Sequence, residues 1–325
     1  MTRTRAAAAV LAALALVPLT AGTAQAQLPG QPGRVAFIRS GDLHTATATG
    51  KDVRRMTRTS AVESTPKWSP NGKTIAFVRG GYIWTVPAGG GTATRRFQGT
   101  DPSWSPDGTQ LAYIGRTPTY QDPDYGTLGG HFAPMTRAWT GRGPAVVLDD
   151  YNSQWDGCEW CYWSRSYGTV SWSPDGDHVL FTYSNESDGA EPQVLGLQEH
   201  ARPGTPVSTS LPTWTVEVPD DPADYATAPQ ADYAPRRDNV VLATDAATGR
   251  VAQLWVYNRT GTFKRQASPD RDVRTPVHSP KGDQVLYAQH TPGQQPRLRR
   301  VTLPYSTPVT VLTNASQPDW QRVPS

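Results

Sequence analysis

One pentapeptide recurs along this chain and limits what it can fold into. It reads Trp68-Ser69-Pro70-Asn71-Gly72, then Trp104-Ser105-Pro106-Asp107-Gly108, then Trp172-Ser173-Pro174-Asp175-Gly176. His278-Ser279-Pro280-Lys281-Gly282 keeps the Ser, Pro and Gly but has lost the Trp and the Asp. Tyr233-Ala234-Pro235-Arg236-Arg237-Asp238 is more worn, and Pro318-Asp319-Trp320 is cut off by the chain end. Repetition at this scale decides architecture before any other argument starts.

Each good copy is followed by a short apolar run, such as Thr74-Ile75-Ala76-Phe77-Val78, Gln110-Leu111-Ala112-Tyr113-Ile114 or Gln284-Val285-Leu286-Tyr287-Ala288. These runs are rich in β-branched and aromatic residues and too short for helices. Pro sets φ for the first central turn position, Asp or Asn suits the second, and Gly takes the left-handed one. Each motif is therefore a strand, a tight turn and a second strand. Two further strands follow in each unit, for example Tyr82–Val86 and Thr94–Phe97 joined by Ala88-Gly89-Gly90-Gly91. Four antiparallel strands in about 40 residues is the signature of a propeller blade.

The termini fix the blade count. Arg34 to Thr57 holds three strands with no motif in front, and Pro318-Asp319-Trp320 is a motif with nothing after it. If the last strand pairs with the first three, the ring closes and no edge is left exposed. The expected fold is all-β, a six-bladed propeller of four-stranded blades closed by the C-terminal strand. The expected boundaries are a signal peptide over 1–26, a short linker over 27–33 and the propeller over 34–325. The motif tryptophans are assigned to the core, and their Asp and Asn neighbours to turns rather than to catalysis.

The Trp-Ser-Pro-Asp-Gly repeat, its apolar follow-up and the terminal Pro-Asp-Trp resemble the TolB-like propeller repeats, also called WD40-like or PD40 repeats. The resemblance covers nearly all of the chain after the signal. It implies a propeller and leaves function open, because such propellers occur in periplasmic assembly proteins, prolyl oligopeptidases and some polysaccharide lyases. A prolyl-oligopeptidase relative would carry a separate hydrolase domain, and none is expected after the closing strand.

The N-terminus reads as an export signal. Arg3 and Arg5 precede an apolar stretch from Ala6 to Val17 and a small-x-small site at Ala24-Gln25-Ala26. The expected protein is secreted, starting at Gln27, with no membrane span. Without Arg3 and Arg5 the chain holds 29 basic residues against 28 acidic ones. Such near-neutrality argues against nucleic acid as a partner. Lysine occurs only at 51, 67, 73, 264 and 281, an arginine bias that suggests a GC-rich bacterial source.

The two cysteines, Cys158 and Cys161, lie in Trp155-Asp156-Gly157-Cys158-Glu159-Trp160-Cys161-Tyr162-Trp163. In an oxidising compartment a local disulfide is the simplest reading. So small a loop adds at best about 2 kcal/mol, so its role would be to fix loop shape. A redox pair would want a thioredoxin-like setting, and a zinc site two more ligands.

The long connections fall on one face. Arg116 to Gly130 joins the second and third strands of the third blade, while Asp149 to Gly168 and Leu211 to Gln230 link blades. Loops on a rigid scaffold are where binding concentrates. The middle one carries Tyr151, Trp155, Trp160, Tyr162, Trp163 and Tyr167 with Asp149, Asp150, Asp156 and Glu159 among them. Two readings stand side by side: a stacking platform for sugar or peptide, and a pinned mini-core packed on the blade edges.

The candidate ligand-binding residues are Trp155, Asp156, Trp160, Tyr162, Trp163 and His131. His44, His131 and His290 map to second-to-third-strand edges of different blades and could meet near the axis around a metal; isolated surface histidines are the plainer reading. There is no Gly-x-Ser-x-Gly, His-Glu-x-x-His or phosphate-loop motif. The sequence thus points to a monomeric, non-catalytic binding module for a polypeptide or glycan, without cofactor, metal or nucleic acid. The alternative is a polysaccharide lyase or glycan hydrolase built at the axis.

Overall fold

A computed structural model describes residues 31–122, 126–128, 130–149, 164–186, 194–201, 213–217, 230–234, 239–244, 252–258 and 264–323. Among them are six four-stranded antiparallel sheets and one two-stranded hairpin. Blade 1 joins the chain ends: β26 (Ser316–Val323), β1 (Gln31–Arg39), β2 (Asp42–Thr47) and β3 (Arg54–Arg55). Blade 2 is β4 (Glu63–Trp68), β5 (Thr74–Arg79), β6 (Tyr82–Pro87) and β7 (Thr94–Gln98). Blade 3 is β8 (Thr100–Trp104), β9 (Gln110–Arg116), β12 (Phe132–Ala138) and β13 (Val146–Val147). The hairpin β10 (Tyr120–Asp122) and β11 (Gly126–Leu128) stands between β9 and β12.

Blade 4 is β14 (Ser164–Trp172), β15 (His178–Glu186), β16 (Val194–Ala201) and β17 (Thr213–Glu217). Blade 5 is β18 (Gln230–Tyr233), β19 (Asn239–Thr244), β20 (Gln253–Asn258) and β21 (Lys264–Arg271). Blade 6 is β22 (Val273–His278), β23 (Gln284–Gln289), β24 (Arg297–Thr302) and β25 (Val309–Thr313). The first strands of neighbouring blades touch in the order β26, β4, β8, β14, β18, β22 and back to β26. That closed circle is the inner wall, and the pairing of Val35 with Trp320 and Ala36 with Asp319 is the clasp.

The recurring turn explains the repeat. Ser105 N–H donates to the Gln110 carbonyl at 3.0 Å, and Gly108 N–H to the Ser105 carbonyl at 2.8 Å. Asp107 Oδ1 accepts from Ser105 Oγ at 2.6 Å and from Thr109 N–H at 3.0 Å. Gly72, Gly108, Gly176 and Gly282 all sit near φ +70°, between 66° and 77°, where a Cβ is strained. The motif carboxylates are turn-formers, and the motif tryptophans Trp68, Trp104, Trp172 and Trp320 are buried.

Each gap between blades is filled by one apolar cluster. Trp68 packs with Ala36, Leu43 and Phe77 between blades 1 and 2, and Trp104 with Ile83, Leu111 and Met135 between blades 2 and 3. Trp172, Phe181 and Tyr183 fill the gap between blades 3 and 4, and Trp320, Val277 and Leu298 that between 6 and 1. Flat rings suit wedge-shaped spaces between twisted sheets and bury large apolar areas there. No helix among the described residues is long and apolar enough to cross a membrane.

Candidate functional site

The inner strands do not alternate regularly. Pairing registers break between Ser64 and Lys67 on β4, Thr100 and Ser103 on β8, Tyr167 and Val170 on β14, and Arg274 and Val277 on β22. At these bulges and on β26, four residues other than glycine take left-handed backbone: Thr65 (φ 44°), Asp101 (50°), Thr275 (48°) and Gln317 (51°). Each is followed by a proline, which contributes no N–H to a ladder that the bulge has already interrupted. Left-handed backbone at such residues costs about 1 kcal/mol or more each. The return is a ring of side chains at the axis.

Two cavities lie along that axis. The wider, about 220 Å³, is lined by Thr65, Asp101, Thr169, Gln230, Thr275 and Gln317, one residue from each blade. It lies where the inner strands begin, the face on which the β10–β11 hairpin and the blade-to-blade connections emerge. The narrower, about 50 Å³, is lined by the next residues along, among them Lys67, Ser103, Ser171, Asp232, Asp319 and Arg322. Lys67 borders both. The channel tapers from the long-loop face to the face of the short turns.

These axial side chains also tie the blades together. Gln317 Oε1 accepts from Thr65 N–H at 2.7 Å and Asp319 Oδ2 from Trp68 N–H at 2.7 Å, blade 1 to blade 2. Ser103 Oγ accepts from Trp172 N–H at 3.2 Å, blade 3 to 4, and Thr169 Oγ1 from Ala231 N–H at 2.9 Å, blade 4 to 5. Gln230 Oε1 accepts from Thr275 N–H at 2.6 Å and Asp232 Oδ2 from His278 N–H at 2.9 Å, blade 5 to 6. At the other two seams Lys67 and Val277 occupy the acceptor's place and cannot accept. Between blades 2 and 3 the indole of Trp104 donates instead to the Lys67 carbonyl at 3.0 Å, whereas between blades 6 and 1 the Trp320 indole has no acceptor.

The carboxylates of the channel differ in their titration. Burial pushes Asp101 up from 3.8 to about 6, against the pull of Thr100's hydroxyl and the Lys67 charge. Burial likewise pushes Asp319 up to about 6, although Lys67 lies 3.6 Å away and Trp68 N–H donates to it. Asp232 is also buried, but the hydrogen bond and charge of His278 outweigh burial and hold it below the usual range. Arg322, facing Asp232 and Asp319, is lowered by burial.

Among the sequence candidates, Trp155, Asp156, Trp160, Tyr162 and Trp163, and the cysteines Cys158 and Cys161, lie outside the described residues. Tyr167, from the same stretch, turns inward: it packs edge-on to Phe181 with ring centroids 5.8 Å apart and donates to Asp149 at 3.0 Å. His131 sits at the foot of the hairpin, where its carbonyl accepts from Thr117 N–H at 2.8 Å and its Nδ1 lies 3.3 Å from Thr117 Oγ1. His44 is buried, stacked on Phe37, and its basicity is lowered by burial. His290 is lowered too, by burial and by Arg274.

None of His44, His131 and His290 lines either cavity, and no group of three metal-ligating side chains is found among the described residues. The idea that these histidines converge at the axis is therefore corrected: β2 and the ends of the second-to-third-strand connections lie away from the inner wall. The axial histidine is His278, read from sequence only as a worn motif position. The signal for the channel was present as a lead-in of residue-Pro-x-aromatic: Thr65-Pro66-Lys67-Trp68, Asp101-Pro102-Ser103-Trp104, Thr275-Pro276-Val277-His278 and Gln317-Pro318-Asp319-Trp320.

Four-stranded blades around a tapering polar channel define a six-bladed β-propeller. The fold is that of the TolB proteins. TolB from Acinetobacter baumannii superimposes with a TM-score of 0.60 at 16% identity over 89% of this chain and 66% of that one. This chain thus spans just under two thirds of that relative's length. A putative TolB from Agrobacterium tumefaciens gives a TM-score of 0.54 at 17% identity, over 86% of this chain and 88% of that one. No family model and no curated protein matches the sequence.

Proposed function

We propose that this protein is an exported, non-catalytic interaction module that receives a polypeptide or glycan on its long-loop face, around the wide mouth of the channel. The observation that carries this reading is the cavity of about 220 Å³ walled by one side chain from every blade. Concave sites with a few converging polar groups on a rigid frame are the usual form of a binding site. In sequence the aromatic stretch with Trp155, Trp160, Tyr162 and Trp163 falls between β13 and β14, and in this reading it supplies the stacking rings, with Asp156 to orient the ligand. The signal-like residues 1–26 support export.

The test is capture of secreted polypeptides and envelope glycans by the chain starting at Gln27, beside a folded Trp155→Ala/Trp160→Ala/Trp163→Ala variant. Binding lost in the variant supports the reading, and undiminished binding sinks the aromatic platform. A second reading, a lyase or hydrolase at the axis, draws on Asp101 and Asp319, two carboxylates held near 6 along one channel. It predicts turnover of a glycan that Asp101→Asn or Asp319→Asn abolishes.

A further inference from the structure

The described residues offer three places with unexplained chemistry. On the rim between blades 2 and 3, Arg96 stacks on Trp139 and Arg137 on Phe97, without a carboxylate partner. Stacked arginines of this kind also serve simply to cover apolar surface. At the narrow end, Trp68 Nε1, Trp320 Nε1 and His278 Nε2 find no acceptor, but the space there is only about 50 Å³. The wide mouth has more room, about 220 Å³, and a carboxylate in its wall.

Asp101 is the single carboxylate in the wall of the wide cavity, and none of the ion pairs among the described residues includes it. The cation bordering the same cavity, Lys67, is engaged with Asp319 at 3.6 Å. Thr65 Oγ1, next to Asp101 in the ring, and Thr275 Oγ1, across the axis, are buried and have no hydrogen-bond partner. The Asp101 carboxylate, whose one partner is the Thr100 hydroxyl, therefore borders the cavity without an ion pair, and two hydroxyl oxygens without partners are buried in the same wall. Buried polar groups without partners are rare and call for an explanation. The rest of the wall includes Pro66, Pro102, Val170 and Pro276, which are apolar.

We propose that the channel mouth is a subsite for a primary ammonium group, the side-chain head of a lysine on the recognised polypeptide. The ammonium head has three N–H donors and no acceptor, which matches a carboxylate flanked by hydroxyl oxygens. Its aliphatic stem matches the proline-lined wall. An anion would meet the Asp101 charge, and a calcium-like ion wants six or more oxygen ligands with several carboxylates. Thr65 and Asp101, both left-handed in backbone, are among the residues that line the cavity. The subsite rests on the polypeptide reading given above.

Binding needs Asp101 ionised. Its carboxyl titrates near 6, with Lys67 of β4 as its charged neighbour and Thr100 as its hydroxyl partner. Affinity should therefore be full above that pH and fall as pH drops through it. By reciprocity, the bound ammonium should pull the Asp101 titration downward.

The experiment titrates the whole exported chain with Nα-acetyl-lysine amide, reading the threonine methyl resonances of Thr65, Thr169 and Thr275. Saturable shifts are expected, with none from Nα-acetyl-norleucine amide, which has the stem without the charge. Asp101→Asn, a residue that tolerates left-handed backbone, should weaken binding by about tenfold or more. Thr65→Val should weaken it by a smaller factor while keeping the pH midpoint. Absence of shifts, equal shifts with the norleucine amide, or unchanged affinity in Asp101→Asn would overturn the subsite. Glucosamine binding more tightly than the lysine probe would overturn its assignment to a polypeptide. Capture of polypeptides through the loop tryptophans is measured separately, so the larger reading stands or falls on its own result.

Discussion

Blades 1 and 5 hold their neighbours with the same pair of side chains, yet the two seams differ in charge. In blade 1, Gln317 and Asp319 accept the N–H groups of Thr65 and Trp68; in blade 5, Gln230 and Asp232 accept those of Thr275 and His278. Asp319 is raised to about 6 while Asp232 is lowered. The difference traces to the motif residue of the next blade. Trp68 offers Asp319 only its backbone, whereas the His278 ring places Nδ1 3.3 Å from Asp232. A carboxylate buried with one N–H and a lysine 3.6 Å away stays reluctant to ionise, and one that gains an imidazole does not. Loss of the motif tryptophan in blade 6 thus changed the electrostatics of the axis without changing the mechanical link.

The comparison can be broken most severely at Asp232. Asp232→Ala strips the His278 N–H and ring and the Ser171 hydroxyl of an acceptor, and leaves Arg322 facing one carboxylate fewer. A loss of about 3–5 kcal/mol is expected from removing one partner of a buried ionic network. Urea unfolding measures it, and a loss below about 1 kcal/mol would mean the network is not a unit.

Next comes the pH response of Asp319. Its folded titration lies above its ordinary value of 3.8, at about 6, so the folded state holds the proton more tightly than the unfolded chain. The stability it confers is full below about pH 4 and is lost as pH rises through about 6, by about 3 kcal/mol in total. Asp232, being lowered, has the opposite sign: its stability is present at neutral pH and is lost on acidification. Asp319→Asn should remove its share of the first slope, leaving the share of Asp101, which burial also raises to about 6, and the opposite slope of Asp232. Unfolding curves of variant and wild type that stay parallel from pH 4 to 7 would refute the assignment.

The smallest effect is expected at the seam between blades 3 and 4, where a neutral hydroxyl does the same task. Ser103→Ala deprives Trp172 N–H of its acceptor at 3.2 Å. A cost of about 1 kcal/mol follows for a neutral hydrogen bond, with no change in pH dependence. A pH-dependent cost would show that Ser103 is coupled to the charged ring.

Much of the frame was legible in the sequence. The Ser-Pro-Asp-Gly turns, the apolar second strands and the buried tryptophans follow from local backbone preferences and from a two-residue alternation that the repeat enforces. The split first blade followed from counting motifs at the termini. The axial residues were not legible in the same way. Alternation assigns faces only in a regular strand, and here the bulges at Thr65, Asp101 and Thr275 shift the side chains that follow by one place. Loop histidines drew attention because histidine is a common ligand, while Asp101 and Thr65 carry no such flag in isolation.

What the sequence determined by itself was the blade: its turn chemistry, its strand pattern and the number of its copies are local properties written into each repeat. What only the tertiary structure decided was the channel. Asp232 and His278 are 46 residues apart, Thr65 and Gln317 are 252 apart, and each lies in a different sheet. Their contact, and the burial that moves Asp101 and Asp319 to about 6, exist only once six blades close around an axis. Desolvation and cross-blade hydrogen bonding depend on the surroundings in space, which no single repeat contains.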